Sequence, residues 1–378
     1  MLVEKQINKK KILSQQLKIM ISGGGTGGHI FPAIAIARAL EQMRPGTEIL
    51  FVGANGRMEM EKVPAAGYRI EGLDIAGISR SNMLKNISLP AKVWKSVSKA
   101  KQLVTEFKPD AIVGVGGYAS GPTLWAGIRK RIPTLIQEQN SYPGVTNKIL
   151  AKYAKKICVA YPGMEKYFPK EKMIITGNPV RQDIADLQSK RMAALEFFEL
   201  SNGGFVLLVI GGSLGARTVN ESIAKSLDVF AKNGIQLVWQ TGKQYYPQAA
   251  ELQKKYPNIR AFDFIQRMDY AYAAADVVVS RAGAISLSEL CIAGMPCILV
   301  PSPNVAEDHQ TKNAMNLANH DAAIVIKDTE AINQLGDAVI KLATDSSMRQ
   351  SLSKNISALA VKDSAARIAQ EVIALTGK

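Results

Sequence analysis

The sequence predicts an α/β protein built as two similar doubly wound parallel-sheet domains, and three observations carry that expectation. Short β-branched runs of strand length alternate with helix-length segments along the chain. The series restarts near the midpoint: a strand at 205–210 runs into Gly211-Gly-Ser-Leu-Gly215, as the strand at 18–22 runs into Gly23-Gly-Gly-Thr-Gly-Gly28. Each half then has a later glycine turn after a strand, Gly114-Val-Gly-Gly-Tyr118 in the first and Ser280-Arg-Ala-Gly283 in the second. At 378 residues the chain is long enough for two cores.

Taken in order, residues 1–17 are basic but lack the apolar centre of a secretory signal, so they read as a solvated N-terminal extension. The strand at 18–22 ends in glycines, and Pro32 then opens an apolar helix over 33–43. Further strands are expected at 49–52, 111–115, 133–137 and 173–176, separated by helix-length segments such as 91–107. Gly177-Asn-Pro179 interrupts helix and strand alike, which divides the chain into an N-terminal domain at 18–179 and a C-terminal domain at 180–360. The second domain repeats the plan with a strand at 205–210, a helix at 216–230 and a strand at 276–279. In the final segment, 361–378, a helix capped by Asp363 places Ile368, Val372 and Leu375 on one face, so it is expected to pack back on the N-terminal domain.

Composition narrows the function classes. With 47% hydrophobic and 21% charged residues the chain is an ordinary globular protein and not a disordered one. The net charge of +15 points to an anionic partner: nucleic acid, an acidic lipid surface or a phosphorylated small molecule. The three cysteines have no CxxC spacing, so neither a disulfide framework nor a zinc site is expected, and a cytoplasmic, reducing compartment is. No apolar run reaches membrane-spanning length. Nucleic acid is disfavoured because no aromatic stacking platform or binding motif is present.

Gly23-x-Gly25-x-x-Gly28 matches a dinucleotide fingerprint, but the next strand ends Phe51-Val-Gly-Ala-Asn55 without the acidic residue that would take the ribose. The second half fails likewise, and neither loop contains Gly-Lys-Ser/Thr. Both loops do place a run of backbone N–H groups at a helix start, with a hydroxyl from Thr26 or Ser213 beside them, which suits two anionic-ligand sites across a cleft or simply two tight turns. His29 follows the first loop and is the candidate general base; a purely structural histidine is the alternative. His309 and His320 lack companion ligands, so no metal site is expected. Glu289 is the candidate acceptor for ribose hydroxyls, with a solvated helix-start glutamate as the alternative. Between Arg80 and Lys108 seven basic residues face a single acid, interleaved with Met83, Leu84, Ile87, Leu89 and Trp94. That mixture, joined by Trp125, suits an anionic membrane surface or a solvated helix face.

Several motifs in consistent order then resemble one family: Gly23-Gly-Gly-Thr-Gly-Gly-His29-Ile-Phe-Pro32, Glu138-Gln-Asn-Ser-Tyr-Pro-Gly144, Gly177-Asn-Pro-Val-Arg181, Gly211-Gly-Ser-Leu-Gly-Ala216, Ser280-Arg-Ala-Gly283 and Pro301 to Ala314. From about Lys18 onward the chain resembles the MurG family of peptidoglycan N-acetylglucosaminyltransferases. The resemblance implies a GT-B fold, two Rossmann-like domains around a cleft. It implies inverting transfer of GlcNAc from UDP-GlcNAc to lipid I, giving lipid II, with no tightly bound cofactor and divalent-ion assistance left open. Among the donor-binding positions it implies Thr26, Gly27, Gly28 and Asn140 in the N-terminal domain. In the C-terminal domain it implies Arg181, Ser213, Ile265, Ala284, Ile285, Ser286, Leu287, Ser288, Glu289 and Gln310, with Glu289 on the ribose and Ser213 on a phosphate. It further implies peripheral attachment to the cytoplasmic face of the plasma membrane, with other cell-wall synthesis proteins as candidate partners. A UDP-GlcNAc epimerase of the same fold and a non-enzymatic binder of anionic lipid or nucleic acid are the competing readings.

Overall fold

A computed structural model describes residues 16–75, 89–180, 184, 186–212, 215–305 and 308–378, with the backbone alone at 89–91. Met83, Leu84, Ile87, Arg181 and Ser213, and the side chain of Leu89, lie outside the described residues.

The chain folds as two compact units, one running to Val180 and taking back Asp363–Lys378, the other Arg181–Lys362. In the first unit the elements follow as β1 (Lys18–Ser22), α1 (Gly27–Met43), β2 (Glu48–Ala54), α2 (Glu59–Ala65), β3 (Arg69–Leu73), α3 (Leu89–Phe107), β4 (Ala111–Gly114), α4 (Ser120–Arg129), β5 (Thr134–Glu138), α5 (Val145–Leu150), β6 (Lys156–Val159) and β7 (Met173–Ile175). Its strands form one parallel sheet in the order β3-β2-β1-β4-β5-β6-β7. The chain reverses its winding direction between β1 and β4, where Ser22 lies opposite Gly114, and doubly wound sheets bind ligands beyond the strand ends at such a point.

Both faces of this sheet are covered, which is why its central strands read as continuous apolar runs. Ile19 and Ile21 point into one core with Ile30, Ile36 and Leu40 of α1, while Met20 points into the opposite core with Val104 of α3 and Leu124 of α4.

The second unit contains α6 (Arg191–Phe197), β8 (Val206–Ile210), α7 (Arg217–Lys232), β9 (Gln236–Gln240), α8 (Tyr246–Lys255), β10 (Ile259–Phe262), α9 (Met268–Ala274), β11 (Val277–Ser280), α10 (Ala284–Ala293), β12 (Cys297–Leu299), α11 (His309–Ala318), β13 (Ile324–Val325), α12 (Ala331–Thr344) and α13 (Ser346–Ala358). Its parallel sheet runs β10-β9-β8-β11-β12-β13, with the reversal between β8 and β11. The last helix, α14 (Ser364–Thr376), buries Ile368, Ala369 and Val372 in the first unit's core beside α1.

Local expectations differ at two helix starts: Asp363 precedes α14 without a side-chain capping hydrogen bond, and the first helix begins earlier than expected. The first helix starts at Gly27 and carries Pro32 inside it, so His29 stands in the first helical turn and not in the loop. Thr26 supplies the opening carbonyl, accepting from the N–H groups of His29 and Ile30 at 3.1 and 3.2 Å. Glycine propensity hides this start, because glycine in a helix is unfavourable unless the tertiary structure fixes it.

Candidate active site

In the first unit the loop after β1 and the loop after β4 meet at the carboxyl edge of the sheet. A Cβ on Gly117 would stand 2.3 Å from the Gly24 carbonyl oxygen, so only glycine permits that approach. A Cβ on Gly116 would stand 2.8 Å from His29 Nε2, which shows the imidazole lying against this turn. His29 Nδ1 is 3.0 Å from the Gly24 carbonyl oxygen and 3.3 Å from Thr26 Oγ1. A carbonyl oxygen can only accept, so Nδ1 carries the proton, and the lone pair of the neutral ring is on Nε2. Thr26 and Gly28 are exposed beside it.

Asn140 enters the same edge from the segment after β5. Its backbone N–H and Nδ2 both donate to Glu138 Oε1, at 3.0 and 3.2 Å, while Gly144 N–H and Asn147 Nδ2 donate to Oε2 at 3.1 and 2.8 Å. Glu138 is 2% exposed, and these four donors are what make a buried carboxylate tolerable there. Buried Gln139 donates to the Val115 carbonyl at 2.7 Å, joining this segment to the loop after β4. Nothing in the sequence alone marks Glu138 as the group that holds Asn140, Gly144 and Asn147, although it opens the Glu138-to-Gly144 motif.

The second unit builds its edge from different parts. The loop after β8 is pinned by buried Gln240, whose Nε2 donates to the Gly212 carbonyl at 3.2 Å while its Oε1 accepts from Ile265 N–H at 2.9 Å. One neutral amide thereby ties the glycine loop to the segment that carries Ile265. A Cβ on Gly215 would meet the Thr241 carbonyl at 2.3 Å. The loop after β11 leads through Gly283 into α10, whose first turn holds Ala284, Ile285 and Ser286, with Leu287 and Ser288 behind them. Helix starts of this kind present N–H groups and positive dipole to an anion. Arg281 fastens the turn: its Nη1 donates to the carbonyls of Val300 and Pro301 at 3.0 and 3.2 Å and pairs with Asp328, which also accepts from Thr218 of α7.

Glu289 departs from the solvated alternative. It is 6% exposed in the second turn of α10, and its Oε2 accepts from the buried Tyr272 hydroxyl at 3.0 Å. Gln310, near the start of α11, uses its amide oxygen to accept from Ser302 N–H at 2.8 Å, leaving its NH₂ as the donor that can face a ligand. Just before α9, Arg267 donates to Asp269 and stacks on Tyr270, and Lys190 pairs with the same carboxylate at 3.2 Å. These partners hold the Asp269 carboxyl down at about 2, with the Arg267 bonds the leading cause.

Burial pushes the Cys158 and Cys291 thiols up to about 12 and the Cys297 thiol higher still, so none is a ready thiolate nucleophile. Among the described residues no group of three or more His, Cys, Asp or Glu side chains is placed to hold a metal ion, and no helix is long and apolar enough to cross a membrane. Trp94 on α3 is 72% exposed among the exposed Lys92, Lys95 and Lys99. Trp125, on the neighbouring α4, is 37% exposed and meets Tyr153 edge-on at 5.7 Å.

Family models match both halves: the glycosyltransferase family 28 N-terminal domain over residues 19–159 and the family 28 C-terminal domain over 206–368. The chain is similar to the UDP-N-acetylglucosamine--N-acetylmuramyl-(pentapeptide) pyrophosphoryl-undecaprenol N-acetylglucosamine transferase of Parabacteroides distasonis. Identity is 55%, and the match covers 96% of this chain and 100% of the relative. The protein of the same description from Cytophaga hutchinsonii is 54% identical, over 94% of this chain and 96% of its own. Among solved structures, Acinetobacter baumannii MurG matches with a TM-score of 0.73 at 28% identity, over 95% of this chain and 99% of that one. A UDP-GlcNAc 2-epimerase from Neisseria meningitidis matches with a TM-score of 0.68 at 12% identity, over 95% and 100%, a likeness of fold alone. With both domain models matched and identity above one half over nearly its whole length, this chain belongs to glycosyltransferase family 28.

Proposed function

We propose that the chain transfers N-acetylglucosamine from UDP-GlcNAc, with inversion, to the C4 hydroxyl of MurNAc in undecaprenyl-diphosphate-MurNAc-pentapeptide (lipid I), giving lipid II. The observation that carries this reading is the agreement, over 96% of the chain, with relatives that bear this activity in their names.

The acceptor oxygen attacks the anomeric carbon in line. The new C–O bond forms as the bond to the diphosphate breaks, and UDP departs with the electron pair. His29 Nε2 takes the hydroxyl proton; the Nδ1 contact with Gly24 supports that tautomer. The first-turn N–H groups of α10 suit the charge gathering on UDP, because donors fixed in advance stabilise developing charge without reorganising. Glu289 accepts from the ribose, and Gln310 donates through its NH₂. Thr26, Gly27, Gly28 and Asn140 contribute from the first unit, and Arg181 and Ser213 complete the donor set.

Trp94 and Trp125, with the neighbouring lysines and with Met83, Leu84, Ile87 and Leu89, dock the N-terminal unit on an anionic membrane surface as a peripheral protein. Other cell-wall synthesis proteins are candidate partners at that surface.

Transfer of labelled GlcNAc to a short-chain lipid I analogue, with UDP release followed with and without acceptor, tests the reading. Acceptor-dependent release with product formation is the expected result; conversion of the donor to an epimerised sugar without acceptor returns the epimerase reading. The same assay with and without EDTA decides whether a divalent ion assists. His29→Ala is expected to lower kcat by about 10²-fold or more. Near-normal turnover in that variant would remove His29 as the base.

A further inference from the structure

Glu59, the first residue of α2, is 1% exposed and lies under the first glycine loop. Its Oε2 accepts from Gly25 N–H and its Oε1 from Ala54 N–H, both at 2.9 Å. The fit is steric as well as polar. A Cβ on Gly24 would stand 2.2 Å from Glu59 Oε1, and one on Gly53 would stand 2.5 Å from its Cγ. Gly24 and Gly25 both have positive φ, +151° and +88°, so the loop holds a backbone shape other residues resist, and a buried carboxylate fastens it. The carbonyl of Gly24, beside the fastened N–H, is the group that accepts from His29 Nδ1.

We propose that Glu59 is a positioning residue for the transfer: it fixes the first glycine loop so that the Gly24 carbonyl orients His29 and keeps its lone pair on Nε2. This rests on the assignment of His29 as the base. The corresponding loop of the second unit is fastened by neutral Gln240. In the first unit Gly25 N–H is already committed to a buried anion, an arrangement that opposes a phosphate at that N–H. The Gly24–Gly25 peptide therefore serves to place the base, beside the proposed donor contacts Thr26, Gly27 and Gly28 that follow it in the chain.

Glu59→Gln and Glu59→Ala in the full chain test this, with steady-state transfer kinetics, UDP binding by calorimetry and thermal melting. Because misplacing a reacting group by about 1 Å costs on the order of 10²-fold, Glu59→Ala is expected to lose about a hundredfold in kcat. Glu59→Gln, which keeps one acceptor oxygen, is expected to lose about tenfold. Donor KM and UDP affinity stay within about twofold in both, a split that general loss of structure does not produce. In a His29→Ala background, Glu59→Gln is expected to change the residual rate by less than about twofold, since its effect passes through the imidazole.

Unchanged kcat in Glu59→Gln, a parallel rise in donor KM, or additive losses in the double variant would each overturn the proposal. If Glu59→Ala does not fold, the near-isosteric Glu59→Gln carries the same test. Full turnover in His29→Ala removes the base assignment and this proposal together. An inactive His29→Ala beside a fully active Glu59→Gln removes this proposal alone.

Discussion

Tyr272 and Glu289 show how one hydroxyl can orient a proposed binding group. The Tyr272 ring is buried, and its OH donates to Glu289 Oε2 at 3.0 Å, so the carboxylate reaches the proposed ribose site with one oxygen already oriented. A hydrogen bond to a charged group contributes about 1.5–3 kcal/mol. Tyr272→Phe is accordingly expected to raise donor KM by about tenfold or more while leaving acceptor KM unchanged, as steady-state kinetics with each substrate varied would show. A fall in kcat at unchanged donor KM would mean that Glu289 acts elsewhere. Glu289 could be singled out as a candidate in the sequence because it follows a glycine turn after a strand. Tyr272 could not, since nothing local distinguishes a tyrosine in Asp-Tyr-Ala-Tyr-Ala that meets a residue 17 positions on. Glu59 was missed for a similar reason: the sequence shows no acid at the end of β2, and the carboxylate that returns to Ala54 N–H comes from the next helix.

Turns and helix ends carry the corresponding lessons for elements. The glycines after β1 and β4 were legible as tight turns, but their mutual contact was not, because it depends on strand order. Gly117 is the sharpest case, with φ +82° and the Gly24 oxygen 2.3 Å from where a Cβ would be. Left-handed backbone costs a residue with a Cβ about 1–2 kcal/mol, and the clash adds to that. Gly117→Ala is expected to lower stability by about 2 kcal/mol or more in urea unfolding and to depress kcat through the displaced loop. Full activity with unchanged stability would show that the turn has room to shift.

At the entrance to α9, Asp269 gives a pH dependence of definite sign. Its folded carboxyl is held at about 2, below the ordinary 3.8, first by Arg267 and then by Lys190. The stabilisation is therefore present above about pH 4 and is lost as pH falls from about 4 towards 2, amounting to about 2 kcal/mol in all. Wild type and Asp269→Asn are expected to differ by about that amount at pH 6 and to converge near pH 2. A gap independent of pH would assign the effect to packing.

For the molecule as a whole, duplication was the most legible feature, because two buried-type strands each ending in glycines repeat across the chain. The return of α14 to the first unit was expected from its apolar face, but its receiving surface on α1 was not legible, since that surface lies more than 300 residues earlier. Net charge acts on the same scale. At +15 the protein is drawn to anionic surfaces over a Debye length of about 8 Å at physiological salt. Charge alone gives no orientation, and in the proposed docking an exposed aromatic amid lysines is what would supply it: Trp94, 72% exposed on α3, stands among Lys92, Lys95 and Lys99. Each lysine near an anionic bilayer contributes about 1 kcal/mol, and the indole adds burial in the interface. Trp94→Glu reverses both contributions at one point, so binding to phosphatidylglycerol vesicles is expected to weaken by about tenfold or more, while UDP affinity, which reports on the second unit, stays the same. Raising salt should weaken wild-type binding as well, and uncharged vesicles should bind poorly throughout. Unchanged co-sedimentation of Trp94→Glu with anionic vesicles would move the docking surface away from α3 and leave the net charge as attraction without a fixed face.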